Sequence, residues 1–248
     1  MTAEEKKCSP KMILNFGAGV NSTALVIECV KRKIPLDYVI FADTGSELPE
    51  TYEHIERMKI WFKEKGIKFV TVKSKYGVSL YDYYYSHKMI PSRKFRHCTD
   101  KFKITPITKF LKQFKTDGVM QLIGIANEER HRIRASKVKW IKFGYPLCEW
   151  ELDREGCENI IRKENMIMPV KSGCFMCPFQ RKEAWTDLLK THPELFAKAR
   201  LMEENGSRYP EITLPFDYTL KQYEEAVKQQ RSLMEFKVAD ICDGWCMT

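Results

Sequence analysis

The chain has 248 residues, of which 44% are hydrophobic, 30% charged and 12% aromatic, values that suit a globular protein able to bury a core without disulfides. Collagen, coiled-coil array and disordered tail do not fit this composition, and no apolar run approaches the ~20 residues that span a bilayer. The formal charge is +9, from 42 basic and 33 acidic residues, and the polar opening segment MTAEEKKCSPK lacks the apolar stretch of a secretory signal, so a cytoplasmic protein with no membrane association is expected.

Residues 12–16 (MILNF) predict a buried strand, followed by a Gly17-Ala18-Gly19 turn and an apolar helix from about Ser22 to Lys33. Pro35 ends that helix, and residues 38–42 (YVIFA) predict a second strand that stops at Asp43-Thr44-Gly45. Between Pro49 and Lys65, Tyr52, Ile55, Met58 and Phe62 recur at helical spacing. Residues 67–72 predict a third strand. Ile104, Ile107, Leu111 and Phe114 mark a helix with Pro106 near its start, and residues 119–125 form a fourth strand ending near Gly124. Short apolar strands alternating with helices give an α/β fold with a mostly parallel, doubly wound sheet, in which ligands collect at the carboxyl ends of the strands. After about Lys142 the pattern turns to cysteines and helices, with Trp185, Leu188 and Leu189, then Leu195, Phe196 and Ala199, at helical intervals. The expected division is an α/β domain over residues 1–142 and a helical, cysteine-bearing appendage over 143–248.

The positive charge is segregated. Residues 87–115 hold nine Lys or Arg against Asp100 alone, and residues 130–142 hold six with no acid, leaving 27 basic against 32 acidic residues elsewhere, a net −5. Such segments serve either as solvated surface or as a field that draws in polyanions.

The turn Phe16-Gly17-Ala18-Gly19-Val20-Asn21-Ser22-Thr23 sets small residues and hydroxyls where a helix begins, a place at which backbone N–H groups and the helix dipole suit a phosphate. Asp43 and Glu47 end the second strand and suit either Mg²⁺ or the capping of the next helix. The turn resembles the Ser-Gly-Gly-x-Asp-Ser loop of the adenine nucleotide alpha hydrolase superfamily, particularly its phosphoadenosine phosphosulfate (PAPS) reductase-like members, with Gly17, Ala18 and Asn21 standing for Ser, Gly and Asp. Phe41-Ala42-Asp43-Thr44-Gly45 with Glu47 and Pro49-Glu50-Thr51 is similar to that family in turn. So are Arg96-His97-Cys98-Thr99 with Lys103-Ile104-x-Pro106-Ile107, Gly124-Ile125 with Glu128, Glu129 and Arg132, and Lys171-Ser172-Gly173-Cys174-x-x-Cys177-Pro178-Phe179. The likeness spans roughly residues 12 to 200. It implies a nucleotide, ATP with Mg²⁺ or PAPS, held by Phe16, Gly17, Ala18, Gly19, Asn21, Ser22, Thr23, Asp43, Thr44, Gly45, Gly124 and Arg132, with Asp43 and Glu129 in catalytic roles.

Nine cysteines in a reducing compartment point to metal, cluster or redox chemistry. Cys174-Phe175-Met176-Cys177 supplies half of a four-thiolate site. Cys98 and Cys157, the latter sharing a helix face with Ile160 and Ile161, supply candidates for the rest, with Cys148 competing; zinc and [4Fe–4S] both suit four thiolates. The resemblance favours a [4Fe–4S] cluster on Cys98, Cys157, Cys174 and Cys177. Cys29 reads as a small core residue. Cys242 and Cys246 are expected either to reach the cleft as catalytic thiols or to idle in a frayed tail.

The Glu-Cys-Gly-Leu-His segment of true PAPS reductases has no counterpart here, which leaves the superfamily's other chemistry, adenylation with pyrophosphate release. The expectation is an ATP-using iron–sulfur enzyme that transfers sulfur to a nucleic acid, tRNA or DNA, through Lys101, Lys103, Arg132 and Arg134, with a sulfur donor or a thioredoxin-like reductant as partner and oligomerisation open. The alternatives are a sulfonucleotide reductase, a zinc-stabilised ligase on a small base and a noncatalytic nucleic-acid-binding module.

Overall fold

The computed structural model describes residues 9–206, 214 and 218–229. Five parallel strands, β1 (Lys11–Asn15), β2 (Tyr38–Asp43), β3 (Phe69–Lys73), β4 (Val119–Ile123) and β5 (Ile141–Gly144), lie in the order β3-β2-β1-β4-β5. The chain steps outward from β1 to β2 and β3, then crosses back to place β4 on the other side of β1, with Asn15 opposite Ile123 and Ile40. The order therefore reverses between β1 and β4, and their carboxyl ends diverge to leave a crevice.

Helices cover both faces. On one, α1 (Val20–Lys31), α2 (Pro49–Glu64) and α7 (Arg154–Lys163) close over a core that includes Leu14, Leu25, Phe41, Phe62 and Leu122. On the other, α5 (Thr105–Leu111) packs its Leu111 with Ile13, Ile40, Val119 and Ile141. The end of α1 explains its length. Lys33 takes a left-handed φ of 56°, its N–H bonds Val30 O at 3.1 Å and the Ile34 N–H bonds Cys29 O at 2.8 Å, the paired closure that satisfies the last carbonyls of a helix.

A second core joins α3 (Leu80–Ser86), the one-turn α4 (His97–Thr99) region, α8 (Lys182–Thr191), α9 (Pro193–Asn205) and α10 (Leu220–Lys228) around the fully buried Trp185, Phe196 and Tyr223. It is tied to the sheet at the end of β2. There Leu80 N–H donates to Thr44 O, Phe175 N–H to Ser46 O, and Glu47 and Cys174 form an isolated antiparallel bridge.

Three features depart from the sequence reading. A fifth strand runs across residue 142, past which none was expected: the four residues of β5 form an edge with Lys142 exposed, too short for a hydrophobic alternation to stand out. The short helix α6 (Pro146–Glu149) and α7 then complete the α/β layer, so the sheet and its cover run on past the expected division. The expected helix over residues 104–114 is α-helical only at Thr105–Leu111, with a π-helical turn, Asp100–Ile104, before that stretch and a 3₁₀ turn, Lys112–Phe114, after it.

Candidate active site

The turn after β1 sits at the point where strand order reverses. Gly19 is extended, no side chain caps α1, and the first intrahelical bond runs from Thr23 N–H to Gly19 O at 3.0 Å. The amides of Val20, Asn21 and Ser22 thus precede the helical ladder and present a concentrated partial positive charge. Ala18 adopts φ +57°, the left-handed conformation that L side chains resist. Gly124, just after β4, lies so close that a Cβ built on it would stand 3.1 Å from the Cα and N of Ser22. Any larger residue would push α1 out of place.

This turn lines a cavity of about 560 Å³. Gly19, Val20, Asn21, Ser22 and Gly124 contribute to that lining. Glu129, Arg132, Arg154, Lys171, Ser172 and Gly173 line it too, as do Cys174 and Cys177. Leu48, Glu50, His192 and the α8 residues Ala184, Asp187, Leu188 and Thr191, spaced at i, i+3, i+4 and i+7 so that they share one helix face, complete the cavity. Glu129 accepts a hydrogen bond from Asn21 Nδ2 at 3.3 Å and is ion-paired with Arg132. Arg132, Arg154, Lys171 and Arg181 outnumber Glu50, Glu129 and Asp187 on this lining, a balance that favours an anionic occupant.

The structure separates the residues expected to hold the nucleotide. Gly19, Asn21, Ser22, Gly124 and Arg132 line the cavity together with Glu129. Phe16 turns into the core, its ring against Phe62, Phe69 and His54. Thr23 is buried and its Oγ1 lies 2.9 Å from His54 Nε2. Gly17 and Ala18 shape the turn from beneath. The Asp43 carboxylate is spent on its own turn: Oδ1 accepts from Gly45 N–H at 2.8 Å and Tyr52 O–H at 2.9 Å, and Oδ2 pairs with Lys73 at 3.3 Å. Gly45 supplies the positive φ of 67° that this turn needs. The Glu47 side chain is 2% exposed, its Oε1 accepting from Thr44 Oγ1 at 3.2 Å and pairing with Lys103 Nζ at 3.5 Å, while Oε2 is buried with no hydrogen-bond partner. Neither carboxylate is among the cavity-lining groups, so the Mg²⁺ expected at Asp43 and Glu47 does not fit the residues as they stand.

The cysteines part company as well. Cys174 and Cys177 belong to one turn, with Cys177 N–H donating to Cys174 O at 3.0 Å, and Cys98 packs with Cys174 against the second core. The Cys174 thiol donates to Glu47 Oε1 at 3.7 Å. Burial, reinforced by the Glu47 charge, pushes it well above the usual thiol range. Cys157 lies elsewhere: fully buried on the face that α7 turns toward α1, it belongs to the first core with Ile160 and Ile161, and burial pushes its thiol up to about 12. The inward direction expected for Cys157 is correct, but what it meets is α1 and not the other cysteines. Cys148 donates to Ile125 O at 3.2 Å in a separate small cluster, and Cys29 is a buried core residue. Among the described residues no three His, Cys, Asp or Glu side chains form a group that could hold a metal. The four-thiolate set expected for a [4Fe–4S] cluster is therefore not assembled by this fold. Cys242 and Cys246 lie outside the described residues.

Of the bases expected to touch nucleic acid, Lys101 donates to Tyr83 O–H at 3.0 Å and sits over the Tyr76 and Tyr83 rings, and Lys103 pairs with buried Glu47. Arg132 lines the cavity, and Arg134 is exposed. Sequence reasoning gave no role to Arg154 or His192, because residues so distant in the chain share no local pattern with the turn they face.

Residues 11–165 match the phosphoadenosine phosphosulfate reductase domain. The chain belongs to this family. Members of the family are enzymes, and the α/β fold expected from the motifs is the one found. Two curated relatives come from Methanocaldococcus jannaschii. The protein MJ0066 is 25% identical over 210 residues, 78% of this chain and 41% of its own length, and MJ0973 is 23% identical over 246 residues, 90% and 55% respectively. The chain spans about half the length of these relatives. Its fold is similar to that of a PAPS reductase from Candida auris in a phosphate complex, with a TM-score of 0.51 and 15% identity over 68% of this chain and 83% of that one. It also overlays on the U34-tRNA thiolase NcsA from Methanococcus maripaludis, solved with its [4Fe–4S] cluster, with a TM-score of 0.47 and 14% identity over 84% and 75% of the two chains. Among the described residues no helix is long and apolar enough to cross a membrane.

Proposed function

We propose that this member of the PAPS reductase domain family is an ATP-using enzyme that cleaves the nucleotide between its α and β phosphates and joins the adenylyl group to an acceptor, as a prelude to sulfur transfer. The observation that carries this reading is that the phosphate turn, a surplus of Arg and Lys, and the Cys174–Cys177 pair line one cavity. The amides of Val20, Asn21 and Ser22 would take the nucleotide's phosphate oxygens, with Arg132, Arg154 and Lys171 offsetting the charge that gathers on departing pyrophosphate. Cys174 and Cys177 line the same space, where either thiol, once loaded as a persulfide by a separate sulfur donor, would present its outer sulfur to the activated acceptor. Asn21, held by Glu129, orients the entrance to the turn. Ser22→Ala removes a hydroxyl that donates to Gly19 O at 3.1 Å and is expected to weaken ATP binding while the chain still folds; equal ATP affinity in isothermal titration overturns the assignment of the turn.

A nucleic acid, tRNA or DNA, is the acceptor class that the charge distribution favours. The two basic segments are brought to one apolar cluster, where α5 and its 3₁₀ extension pack with residues 138–143, and Lys109, Lys112, Lys115, Lys137, Lys139 and Lys142 remain exposed. This set, with Arg134, replaces Lys101 and Lys103 as the candidate footprint. Changing Lys109, Lys112, Lys137 and Lys139 to Ala should flatten the salt dependence of tRNA or DNA binding by up to ~4 units if each contacts a phosphate. A wild-type chain that binds neither nucleic acid removes this acceptor class.

A second reading, sulfonucleotide reduction, is favoured by the family match over residues 11–165. Incubation with PAPS, a thioredoxin and, separately, ATP separates the two: sulfite marks the reductase, whereas AMP and pyrophosphate mark the adenylating enzyme.

A further inference from the structure

Two residues far apart in sequence meet in the lining of the cavity. His192 closes α8 and begins α9, and Glu50 lies in the first turn of α2; His192 Nε2 is 2.7 Å from Glu50 Oε1 across a sequence separation of 142. Both line the cavity that Gly19–Ser22 also line. The second Glu50 oxygen, Oε2, is buried and has no hydrogen-bond partner, an acceptor without a donor, which a bound molecule carrying an O–H or N–H would satisfy.

Burial works to raise the Glu50 carboxyl, but its own backbone N–H and His192 outweigh it and hold the group below its ordinary value. The contact with Glu50 runs through Nε2 and leaves Nδ1 as the ring's second polar atom. Around the ring, Glu194 Oε1 on α9 stands 3.6 Å from Nδ1, and Asp187 and Arg181 from the α8 side share the cavity. At that distance Glu194 does not hold Nδ1 in a hydrogen bond. A carboxylate that orients an imidazole while leaving its other nitrogen available is the arrangement that suits a general base.

We propose that His192, oriented by Glu50, is the acid–base residue of an acceptor subsite, and that this subsite takes an acceptor whose attacking oxygen carries a proton: water, a hydroxyl or the enol form of an amide. The inference rests on the adenylation reading above. In the step, the acceptor O–H bond breaks and its proton passes to Nδ1, the oxygen forms a bond to the α-phosphorus, and the bond from that phosphorus to the bridging oxygen breaks to release pyrophosphate. No electrons are transferred overall. Glu50 Oε2 accepts a hydrogen bond from a second polar group of the acceptor and fixes its direction of approach.

Water serves as the simplest acceptor and total tRNA as the larger one. AMP and pyrophosphate formed from ATP are measured with each, beside the ATP dissociation constant. His192→Gln should lower kcat by about 100-fold or more, with ATP affinity within twofold of wild type. Glu50→Gln should lower kcat in the same way while leaving ATP affinity within twofold, because the imidazole loses the carboxylate that orients it. A His192→Gln enzyme with wild-type turnover overturns the proposal. If that variant fails to fold, wild-type turnover in Glu50→Gln overturns it. Should wild type bind ATP yet yield no AMP with either acceptor, the adenylation reading itself falls; AMP formation that ignores His192 sinks the base assignment alone.

Discussion

Gly124→Ala probes the closest approach in the site. The new Cβ would stand 3.1 Å from both Cα and N of Ser22 and 3.2 Å from the carbonyl carbon of Asn21. All three are backbone atoms of the first turn of α1, so no rotamer change relieves the contact and the helix start must retreat by a few tenths of an ångström. Overpacking of this kind costs about 1–3 kcal/mol, which in a domain of this size lowers the melting temperature by roughly 2–10 °C. The retreat also displaces the amides of Asn21 and Ser22 from the position that a phosphate would occupy. If half of a charge-assisted hydrogen bond's ~1.5–3 kcal/mol is lost, ATP affinity falls by roughly three- to tenfold. Calorimetric titration with ATP, paired with thermal melts, measures both. A variant that loses stability yet binds ATP within twofold of wild type refutes the placement of phosphate at this turn, because the strain falls directly on the groups said to bind it.

Other outcomes follow from buried groups. His54 is buried against Thr23 and Phe16, and burial, aided by the charge of Arg57, pushes its pKa down to about 4. In the unfolded chain the imidazole binds a proton near pH ~6.5. Between these values the unfolded state holds more protons, so stability declines as pH falls from about 6.5 toward 4, by an amount on the order of 3 kcal/mol for this group. His54→Gln should flatten that portion of the stability profile in urea titrations; a slope equal to wild type would show that His54 is not the group responsible. Cys157→Ala should cost stability of about 1 kcal/mol through a small cavity at the α1–α7 contact, and leave the metal content of the purified chain, measured by mass spectrometry, unaltered. Loss of bound iron or zinc in that variant would restore Cys157 to the metal-ligand set.

The resemblance carried by the motifs led to the family, and the reason is local: the glycine-containing turn, the Asp43–Gly45 turn and the C-x-x-C are each contiguous, so their spacing in the chain is their chemistry. The strands of the central sheet were visible for the same reason, being unbroken apolar runs bounded by turn residues. β5 escaped because an edge strand of four residues, with Lys142 in its middle and exposed, buries too little to impose a pattern. Glu50 stood in the sequence beside a recognised turn, yet its partner lies 142 positions away, and no periodicity connects them.

The sequence by itself determined that strands and helices alternate, that backbone amides gather after β1 and that two cysteines stand in one short turn. Tertiary structure decided which of these meet. The amphipathic face of α7 specifies that Cys157 is buried but not against what; docking on α1 takes it away from Cys174 and Cys177. The fate of Lys103 was decided likewise, since its positive charge counts toward a basic run in the chain but is paired with buried Glu47 in the fold. Burial and charge pairing are properties of neighbours in space, and those neighbours are supplied by the order in which parallel strands are laid down.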